Sequence, residues 1–313
     1  MDLDVFFAGT GGSVPTARRG MPALLVRRGG DRLLFDCGEG TQRQLVRSVG
    51  LPEVDEVLLT HFHADHWLGL PGMLKTFDLR DRERPLTVRG PRGLRELMKV
   101  MQRTVYGRVR YELTIEEIEP GAEVRRDGYT LAAVGVEHRI PALAWVLWED
   151  DRPGEFDAAE AERLGVAPGP DFGRLQRGET VGGVRADQVV GPARTGRKLL
   201  VSGDTAPCDS VRVAAHRADL LVHEATFTEE ERERAVQTGH STAGDAAGLA
   251  RDADVRLLAL THVSTRYGGR EIRDEARAVF ERTVVPRDFD AIEIPFPERG
   301  EPRLVRFEEP VAG

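Results

Sequence analysis

This 313-residue chain has only two cysteines and no long apolar run, and these absences set the first limits on what it can be. Cys37 and Cys208 are too few for a disulfide framework, which indicates a reducing compartment. No apolar stretch approaches the ~20 residues of a membrane span, and the N-terminus lacks a basic region followed by a long apolar one. We therefore expect a cytoplasmic protein with no membrane partner.

An overall excess of positive charge is also absent. The net charge of −8 at pH 7 argues against polyanion binding by the whole surface. The charge is uneven, however, because residues 80–110 carry ten Lys or Arg against three Asp or Glu, and residues 169–199 carry six against three. Each stretch could bind a phosphate backbone or could be an ordinary solvated surface, and the sequence alone does not choose.

What the chain does have is a dense group of metal-binding side chains after a short apolar strand. The strand is predicted at residues 57–59, and His61, His63, Asp65 and His66 follow it directly. Side chains two apart on an extended backbone point the same way, so His61 and His63 can converge on one ion. Asp65 and His66 come where a helix begins and can face a second ion. Imidazole and carboxylate are ligands that Zn²⁺ accepts, and a histidine-rich surface turn is the alternative.

Several later strands are predicted to end in similar side chains. Apolar runs lead to Asp204, to His223 and Glu224, and to His262, and His138 closes another predicted strand. Functional groups gather beyond the strand ends of α/β sheets, so we expect these side chains to meet at one rim. A lone histidine such as His138 is more often structural, and only this shared layout favours a ligand.

Two features near the N-terminus are open to two interpretations. Asp36 follows a predicted strand, where its carboxylate could orient metal-bound histidines or cap the next helix. The loop at residues 9–13 is rich in glycine but lacks the lysine of a nucleotide-binding loop, so we interpret it as a turn at the edge of the site. Gly29 and Gly30 lie between two predicted strands and indicate a tight hairpin.

Residues 150–196, which we call the arm, interrupt the pattern with glycine, proline and charged residues. Such a segment should bury little apolar area, so we predict a flexible insertion with one short helix at residues 158–164. The arginines of the arm suggest that it binds a partner. The alternative is a linker that binds no partner. Elsewhere strands and helices alternate as in an α/β fold, with helices predicted at residues 67–79, 93–105, 243–251 and 271–282.

Taken together, these motifs resemble those of a known family. The run His61-Phe-His63-Ala-Asp65-His66 is similar to the signature of the metallo-β-lactamase fold, an αββα sandwich with its metals at one rim. Further motifs narrow the resemblance to the ribonuclease Z family, endonucleases that mature tRNA 3′ ends. They are Asp36-Cys-Gly-Glu-Gly-Thr-Gln, Ser202-Gly-Asp204-Thr, His223-Glu-Ala-Thr-Phe, His240-Ser-Thr and the arm, which ends in Gly196-Arg-Lys198.

The resemblance implies a site with two zinc ions per subunit in one metallo-β-lactamase-fold domain spanning residues 1–313. The implied ligands are His61, His63 and His138 for one ion, Asp65, His66 and His262 for the other, and Asp204 between them. Asp65, Glu224 and His240 match the family's catalytic residues, whereas we expect His223 to be structural.

The implied reaction removes the 3′ trailer from precursor tRNA and leaves a 3′-hydroxyl on the tRNA and a 5′-phosphate on the trailer. The arm would be an exosite that holds the tRNA body across a homodimer. One departure is visible, since bacterial members often carry Pro-x-Lys-x-Arg-Asn where this chain has Ala17 and Gly20 in place of the Lys and the Asn. This departure bears on the choice of cut position rather than on cutting.

Two rival functions come from other classes. A small-molecule hydrolase on the same fold would need the metals but neither the arm nor the basic stretches. A metal-free RNA-binding protein descended from an enzyme would not need the complete set of ligands that this chain carries.

Overall fold

The computed structural model describes residues 2–308, which form two β-sheets with helices on their outer faces. The strands are β1 (Leu3–Gly9), β2 (Ala23–Arg28), β3 (Asp31–Phe35), β4 (Glu56–Leu58), β5 (Leu86–Gly90), β6 (Leu113–Glu117), β7 (Glu123–Arg126), β8 (Tyr129–Gly135), β9 (Leu143–Glu149), β10 (Lys198–Val201), β11 (Leu220–Glu224), β12 (Leu258–Thr261), β13 (Thr283–Val284), β14 (Ala291–Glu293) and β15 (Arg303–Val305). The α-helices are α1 (Thr41–Ser48), α2 (Ala64–Trp67), α3 (Leu70–Leu79), α4 (Leu94–Met101), α5 (Ala158–Arg163), α6 (Pro170–Gln176), α7 (Asp209–Ala214), α8 (Arg232–Thr238), α9 (Ala243–Asp252) and α10 (Gly269–Arg277).

Each sheet is part antiparallel and part parallel. The first has the order β15-β14-β1-β2-β3-β4-β5-β6, and the second has the order β13-β12-β11-β10-β9-β8-β7. Strands β3 to β6 are parallel to one another, as are β10 to β13. Arg28 pairs with Asp31 across the antiparallel β2 and β3, which confirms the predicted Gly29-Gly30 hairpin. Parallel strands end at a common edge, and this brings the loops after β4, β10 and β12 together.

The layers follow from the alternation of apolar side chains along the strands. On β1, Val5 and Phe7 face the other sheet and pack with Trp145 and other residues of the central core. Phe6 and Ala8 face outward and pack against α1, α3 and α4. A third apolar cluster joins the second sheet to α7, α9 and α10. The predicted αββα sandwich is therefore confirmed.

Some predicted helices differ in detail from the observed ones. The helix expected at 67–79 is two helices, because the chain turns at Gly69, whose N–H donates to the carbonyl of Cys37 at 2.9 Å. The helix expected at 93–105 is α4 followed by π-helical Gln102–Tyr106. Helices α6 and α7 were not predicted, since seven and six residues are too few to establish a helical period. None of the helices within residues 2–308 has the length and apolar character needed to cross a membrane.

The arm is more ordered than its composition suggests. The predicted short helix is present as α5, but α6 accompanies it, and the arm has an apolar cluster of its own. The buried members of this cluster are Ala161, Val166, Leu175, Val181, Val184 and Val189. The expectation that the arm buries little apolar area is therefore wrong. Its apolar residues stand at irregular spacings between glycines, so no periodic pattern reveals them.

A buried ionic cluster joins the two sheets where the arm leaves the sandwich. Glu149 at the end of β9 accepts hydrogen bonds from Arg28 Nε at 2.8 Å and from Arg197 Nε and Nη2 at 2.7 and 2.8 Å. All three side chains are less than 10% exposed. One carboxylate thus pairs with two buried guanidinium groups, and removing it would take a charged partner from both in a low-dielectric environment.

We expect Glu149→Gln to lower the free energy of unfolding by about 3–5 kcal/mol, because a neutral amide cannot compensate two buried cations. Urea unfolding followed by circular dichroism measures the change. Glu179→Gln is the matched control, since Glu179 pairs with Arg174 on the surface and such pairs contribute about 0–1 kcal/mol. Equal effects of the two substitutions would show that burial of the cluster is energetically unimportant.

Candidate metal centre

Side chains able to bind metal meet at the rim where parallel strands of both sheets end. His61 and His63 follow β4, Asp204 follows β10, and His262 follows β12. The structure brings all seven predicted ligands together in two groups, within each of which the ligand atoms lie within 4.8 Å of one another. The groups are His61, His63, His138 and Asp204, and Asp65, His66 and His262.

In the first group, three imidazoles face one point. The Nδ1 atom of His63 lies 3.0 Å from His61 Nε2 and 3.1 Å from His138 Nε2. Asp204 Oδ2 lies 3.6 Å from His61 Nε2. His61 is fully buried, whereas His63 and His138 are partly exposed, so this point is accessible from solvent.

The second group surrounds the same carboxylate from the other side. Asp204 Oδ2 lies 3.3 Å from both His66 Nε2 and His262 Nε2. Asp65 Oδ2 lies 3.7 Å from His66 Nε2 and 3.4 Å from His262 Nε2. Asp204 is therefore placed between the two groups, as a bridging ligand would be.

Hydrogen bonds to the far side of the rings determine where two of the histidines carry their protons. His138 Nδ1 lies 2.8 Å from the carbonyl oxygen of Gly239, which can only accept, so Nδ1 is the donor. His66 Nδ1 donates in the same way to Asp36 Oδ2 at 2.7 Å. In the neutral form of each ring, this leaves the Nε2 lone pair directed at the centre, as metal binding requires.

Two threonines connect the rings of His61 and His262 to buried carboxylates in matching arrangements. The Thr60 hydroxyl donates to Asp36 at 2.9 Å and accepts from His61 Nδ1 at 3.0 Å. The Thr226 hydroxyl donates to Glu224 at 2.6 Å and accepts from His262 Nδ1 at 2.8 Å. Asp36 thus supports His61 and His66 and does not cap α1, which has no side-chain cap. Neither threonine was singled out in the sequence, where no spacing marks them.

Burial favours the neutral form of three of the imidazoles, which stand beside an ionised Asp65 carboxylate. Burial lowers the pKa of His61 well below its usual value and also lowers the pKa of His63 and His138. Burial would raise the pKa of Asp65, but the hydrogen bond from His262 and the charge of His66 outweigh it, so the pKa lies well below its usual range. Unprotonated histidine and ionised aspartate are the forms that bind metal.

His66 shows how strongly the centre attracts positive charge. Burial opposes its imidazolium form, but the Asp204 and Asp36 carboxylates outweigh burial and raise the pKa of His66 well above its usual value. His66 Nε2 and Asp204 Oδ1 are buried and have no hydrogen-bond partner within the described chain. Buried polar atoms are normally satisfied, so these orphaned atoms and the His/Asp donor set fit metal cations.

His240 and Glu224 form a further pair beside the two groups. Glu224 Oε1 accepts a hydrogen bond from His240 Nδ1 at 2.8 Å, and Glu224 is almost completely buried. Burial opposes the imidazolium, but the Glu224 carboxylate outweighs it and raises the pKa of His240 to about 9. His223 joins neither group, and its Nδ1 lies 2.8 Å from the backbone carbonyl of Glu224.

The glycine-rich loop closes over the centre and is held by a residue that sequence reasoning missed. Asp288 accepts hydrogen bonds from the N–H and hydroxyl of Thr10 at 3.0 and 2.7 Å and from the N–H of Gly20 at 2.6 Å. It thereby joins the glycine-rich loop to Gly20 further along the chain, and Ser13 of that loop donates its N–H to Asp65 Oδ2 at 2.8 Å. Because Asp288 is remote in sequence and follows no long strand, no local pattern indicated it.

The backbone around the centre is tightly constrained. A Cβ atom at Gly12 would lie 2.5 Å from ring atoms of His262, and one at Gly203 would lie 2.7 Å from the Thr60 side chain. Asp36 and His262 adopt positive φ angles of 55° and 56°, which are uncommon for residues other than glycine. Strained backbone of this kind concentrates at functional sites, where surrounding contacts maintain it.

The fold and the ligand groups define a class of protein, and similarity to known proteins agrees. Residues 31–263 match the family described as Beta-lactamase superfamily domain, so the chain belongs to that superfamily. Ribonuclease Z of Methanosarcina acetivorans is 43% identical over 301 residues, which cover 94% of this chain and 99% of that protein. Ribonuclease Z of Haloferax volcanii is 46% identical over 305 residues, which cover 95% and 96%. The chain is a member of the ribonuclease Z family, as its motifs predict.

Solved structures show the same architecture. The short form of human tRNase Z has a TM-score of 0.69 and 27% sequence identity to this chain, over 93% of this chain and 99% of that one. The metallo-beta-lactamase fold protein YhfI from Bacillus subtilis has a TM-score of 0.69 at 19% identity, over 94% and 100% of the two chains. At that identity the second comparison concerns the fold alone.

We expect Asp36→Asn to weaken the affinity for a divalent metal ion about 10–100-fold, because Asp36 holds His66 directly and His61 through Thr60. Asparagine tolerates the positive φ at this position, so the backbone should not change. Competition with a chromogenic chelator measures the affinity. Asp81→Asn is the matched control, since Asp81 also has a positive φ of 54° but its side chain is 80% exposed. Unchanged affinity in Asp36→Asn would contradict the supporting role.

Proposed function

We propose that this protein is a zinc-dependent endoribonuclease that removes the 3′ trailer from precursor tRNA. The products are a tRNA with a 3′-hydroxyl and a trailer with a 5′-phosphate. Membership of the ribonuclease Z family supports the proposal. The observation that carries it is the His240–Glu224 pair beside two ligand groups that both adjoin the Asp204 carboxylate, since phosphodiester hydrolysis needs both charge stabilisation and a proton donor.

Two zinc ions per subunit fit the two groups. The ligands would be His61, His63 and His138 for the first ion, Asp65, His66 and His262 for the second, and Asp204 for both. When bound, such ions make water a nucleophile at neutral pH and stabilise negative charge on a phosphate.

The protein's own residues then orient the reacting groups. Asp65 is fixed by the Ser13 N–H at 2.8 Å and can orient the attacking water through its carboxylate. His240 donates its Nδ1 proton to Glu224, which leaves Nε2 to protonate the 3′-oxygen that leaves with the tRNA. The Glu224 carboxylate raises the pKa of His240, which favours the protonated ring that would donate the proton.

Cleavage of a precursor tRNA by the zinc-loaded protein, with both product ends mapped, tests the reaction and the acid together. We expect one cut after the discriminator nucleotide in the wild-type protein. We expect His240→Ala to lower the rate at saturating substrate by about 10²–10⁴-fold, because the leaving oxygen loses its proton donor, while zinc content is retained.

The matched control is His216→Ala, which removes an exposed histidine outside the centre. An undiminished rate in His240→Ala would remove His240 from the acid role. Absence of any cut by the zinc-loaded wild-type protein would refute the proposed function itself.

The position of the arm supports its proposed use as an exosite in a homodimer. Leu143 at the start of β9 donates its N–H to Thr60 beside the centre, whereas the arm begins after the last residue of this strand, Glu149. Seven residues of strand place the base of the arm about 20 Å from the rim. We propose that the arm holds the body of a tRNA whose 3′ end lies at the partner subunit's rim.

Replacing residues 156–190 with a two-residue glycine link should weaken binding of precursor tRNA by about 10²-fold or more, because one of two linked contacts is lost. The link should be tolerated, since the Gly191 N–H already donates to the Glu155 carbonyl at 2.8 Å. Gel-shift titration measures binding, and hydrolysis of bis(p-nitrophenyl) phosphate is the control, which should be unchanged. Equal loss of both activities would argue against an exosite.

We also propose that the protein works in the cytoplasm. Its two cysteines are free, with Cys37 buried and Cys208 partly exposed, as expected in a reducing compartment.

A further inference from the structure

Four cations form a row along the outer face of α4. Arg95 and Lys99 lie on α4, Arg103 lies four residues further on in the π-helical segment Gln102–Tyr106 that continues it, and Arg92 stands just before the helix. Residues four apart lie one above the other on a helix, so these side chains share one face. Leu94 and Met98 lie on the opposite face and are buried. The row is therefore fixed in direction by the packing of the helix.

The four cations of the row are exposed to solvent and can reach a bound anion. The ion pairs of this region involve Arg89 and Arg110, which lie outside the row, and in residues 2–308 none of the four joins an ion pair.

Few acidic groups lie near the row, although the charge of Glu117 interacts with Arg92 and Arg95 at its start. Glu117 Oε1 accepts the backbone N–H groups of Gly93 and Arg95 at 2.8 and 3.1 Å and so caps the start of α4. Glu96 is the one acidic residue between residues 92 and 110, a stretch that has six Lys or Arg. The surface along α4 is therefore strongly positive on a protein that is negative overall.

The arm, in contrast, is not strongly positive, although its arginines first suggested that it contacts a polyanion. Arg163, Arg174, Arg177 and Arg185 each pair with an acidic neighbour within the arm. Residues 153–195 contain five arginines but seven Asp or Glu. An arm with net negative charge is a weaker attractor of phosphate than the row on α4.

The row begins beside the metal centre. A Cβ atom at Gly93, the residue before α4, would lie 3.5 Å from the ring of Phe62, which stands between His61 and His63. β5 ends at this rim and α4 leads away from it, so the row runs from the rim toward the opposite end of the sandwich. With a rise of 1.5 Å per residue, positions 92 to 103 span about 16 Å.

We propose that Arg92, Arg95, Lys99 and Arg103 bind the phosphate backbone of the double-stranded part of the substrate RNA next to the cleavage point. The inference rests on the proposed function and adds a second RNA contact distinct from the arm. Duplex RNA is recognised mainly through its shape and backbone, and flexible cations without base-reading geometry suit that recognition. The row thereby directs the duplex toward the rim without selecting its sequence.

The test measures the salt dependence of precursor tRNA binding by the zinc-loaded protein. In the triple variant R95Q/K99Q/R103Q, we expect the Kd at 0.15 M salt to rise about 10–100-fold. The slope of log Kd against log salt should fall by about 2–3, because each lost phosphate contact contributes roughly 0.7–0.9. Glutamine is a good helix former and none of these side chains is buried, so α4 should remain folded.

The control variant R212Q/R251Q/R303Q removes the same charge from arginines that are paired locally with Asp209, Asp252 and Glu293. Its Kd and salt slope should stay close to those of the wild-type protein. If the two triple variants behave alike, only net charge matters and the row is not a binding site.

Hydrolysis of bis(p-nitrophenyl) phosphate reports whether the centre is intact and should be unchanged in both triple variants. If R95Q/K99Q/R103Q loses this activity, the single variants R95Q, K99Q and R103Q decide the question, each with an expected slope decrease of about one. Unchanged slopes in active single variants would overturn the inference. Failure of the wild-type protein to cut precursor tRNA would instead count against the proposed function.

Discussion

The buried carboxylate of Asp204 is the group on which the arrangement of the rim depends. It is 2% exposed, and its Oδ2 atom faces nitrogens of both ligand groups at 3.3 to 3.6 Å. A buried ionised carboxylate costs several kcal/mol unless positive charge or hydrogen bonds compensate it. Burial raises the pKa of Asp204, but His262 and His66 outweigh burial and hold the pKa well below its usual range. Those two rings are in turn held by Asp36 and by Thr226, so a cation-binding centre is built from the inside outward.

The two ends of the sandwich have different roles, because one holds the candidate metal centre and the other holds the ionic cluster that stabilises the fold. At one end the strand termini present ligands to solvent, and at the other Glu149 joins the sheets through Arg28 and Arg197. The apolar core between the sheets separates these ends by the length of a strand. The arm starts beside the ionic cluster, at the end of the sandwich away from the rim. Changes in the arm should therefore have little effect on the residues of the rim.

The clustering of the rim residues could be predicted where they are adjacent in sequence, and not where packing decides which residues meet. His61, His63, Asp65 and His66 are adjacent, so their pattern is visible without a fold. Asp204 and His262 could be anticipated only from the repeated layout of strand and polar residue and from family resemblance. The roles of Thr60, Thr226 and Asp288 could not, although Thr226 stands in the His223-Glu-Ala-Thr-Phe motif, because threonine and aspartate are common and their partners depend on which strands become neighbours. The apolar cluster of the arm was not predicted for a related reason, because its residues are spaced with neither a helical nor a strand period.

The distribution of charge on the surface also could not be predicted from the sequence alone. This distribution explains how a protein with a net negative charge can bind RNA. Counting basic residues from 80 to 110 treats all of them alike, yet Arg82 and Arg89 are buried in structural contacts. Only the folded chain separates them from the exposed cations on α4. At physiological ionic strength the Debye length is about 8 Å, so a phosphate beside that row is screened from acidic residues elsewhere on the surface. Local arrangement, not the net charge of −8, therefore governs the attraction, and the acidic remainder of the surface disfavours other orientations of the RNA.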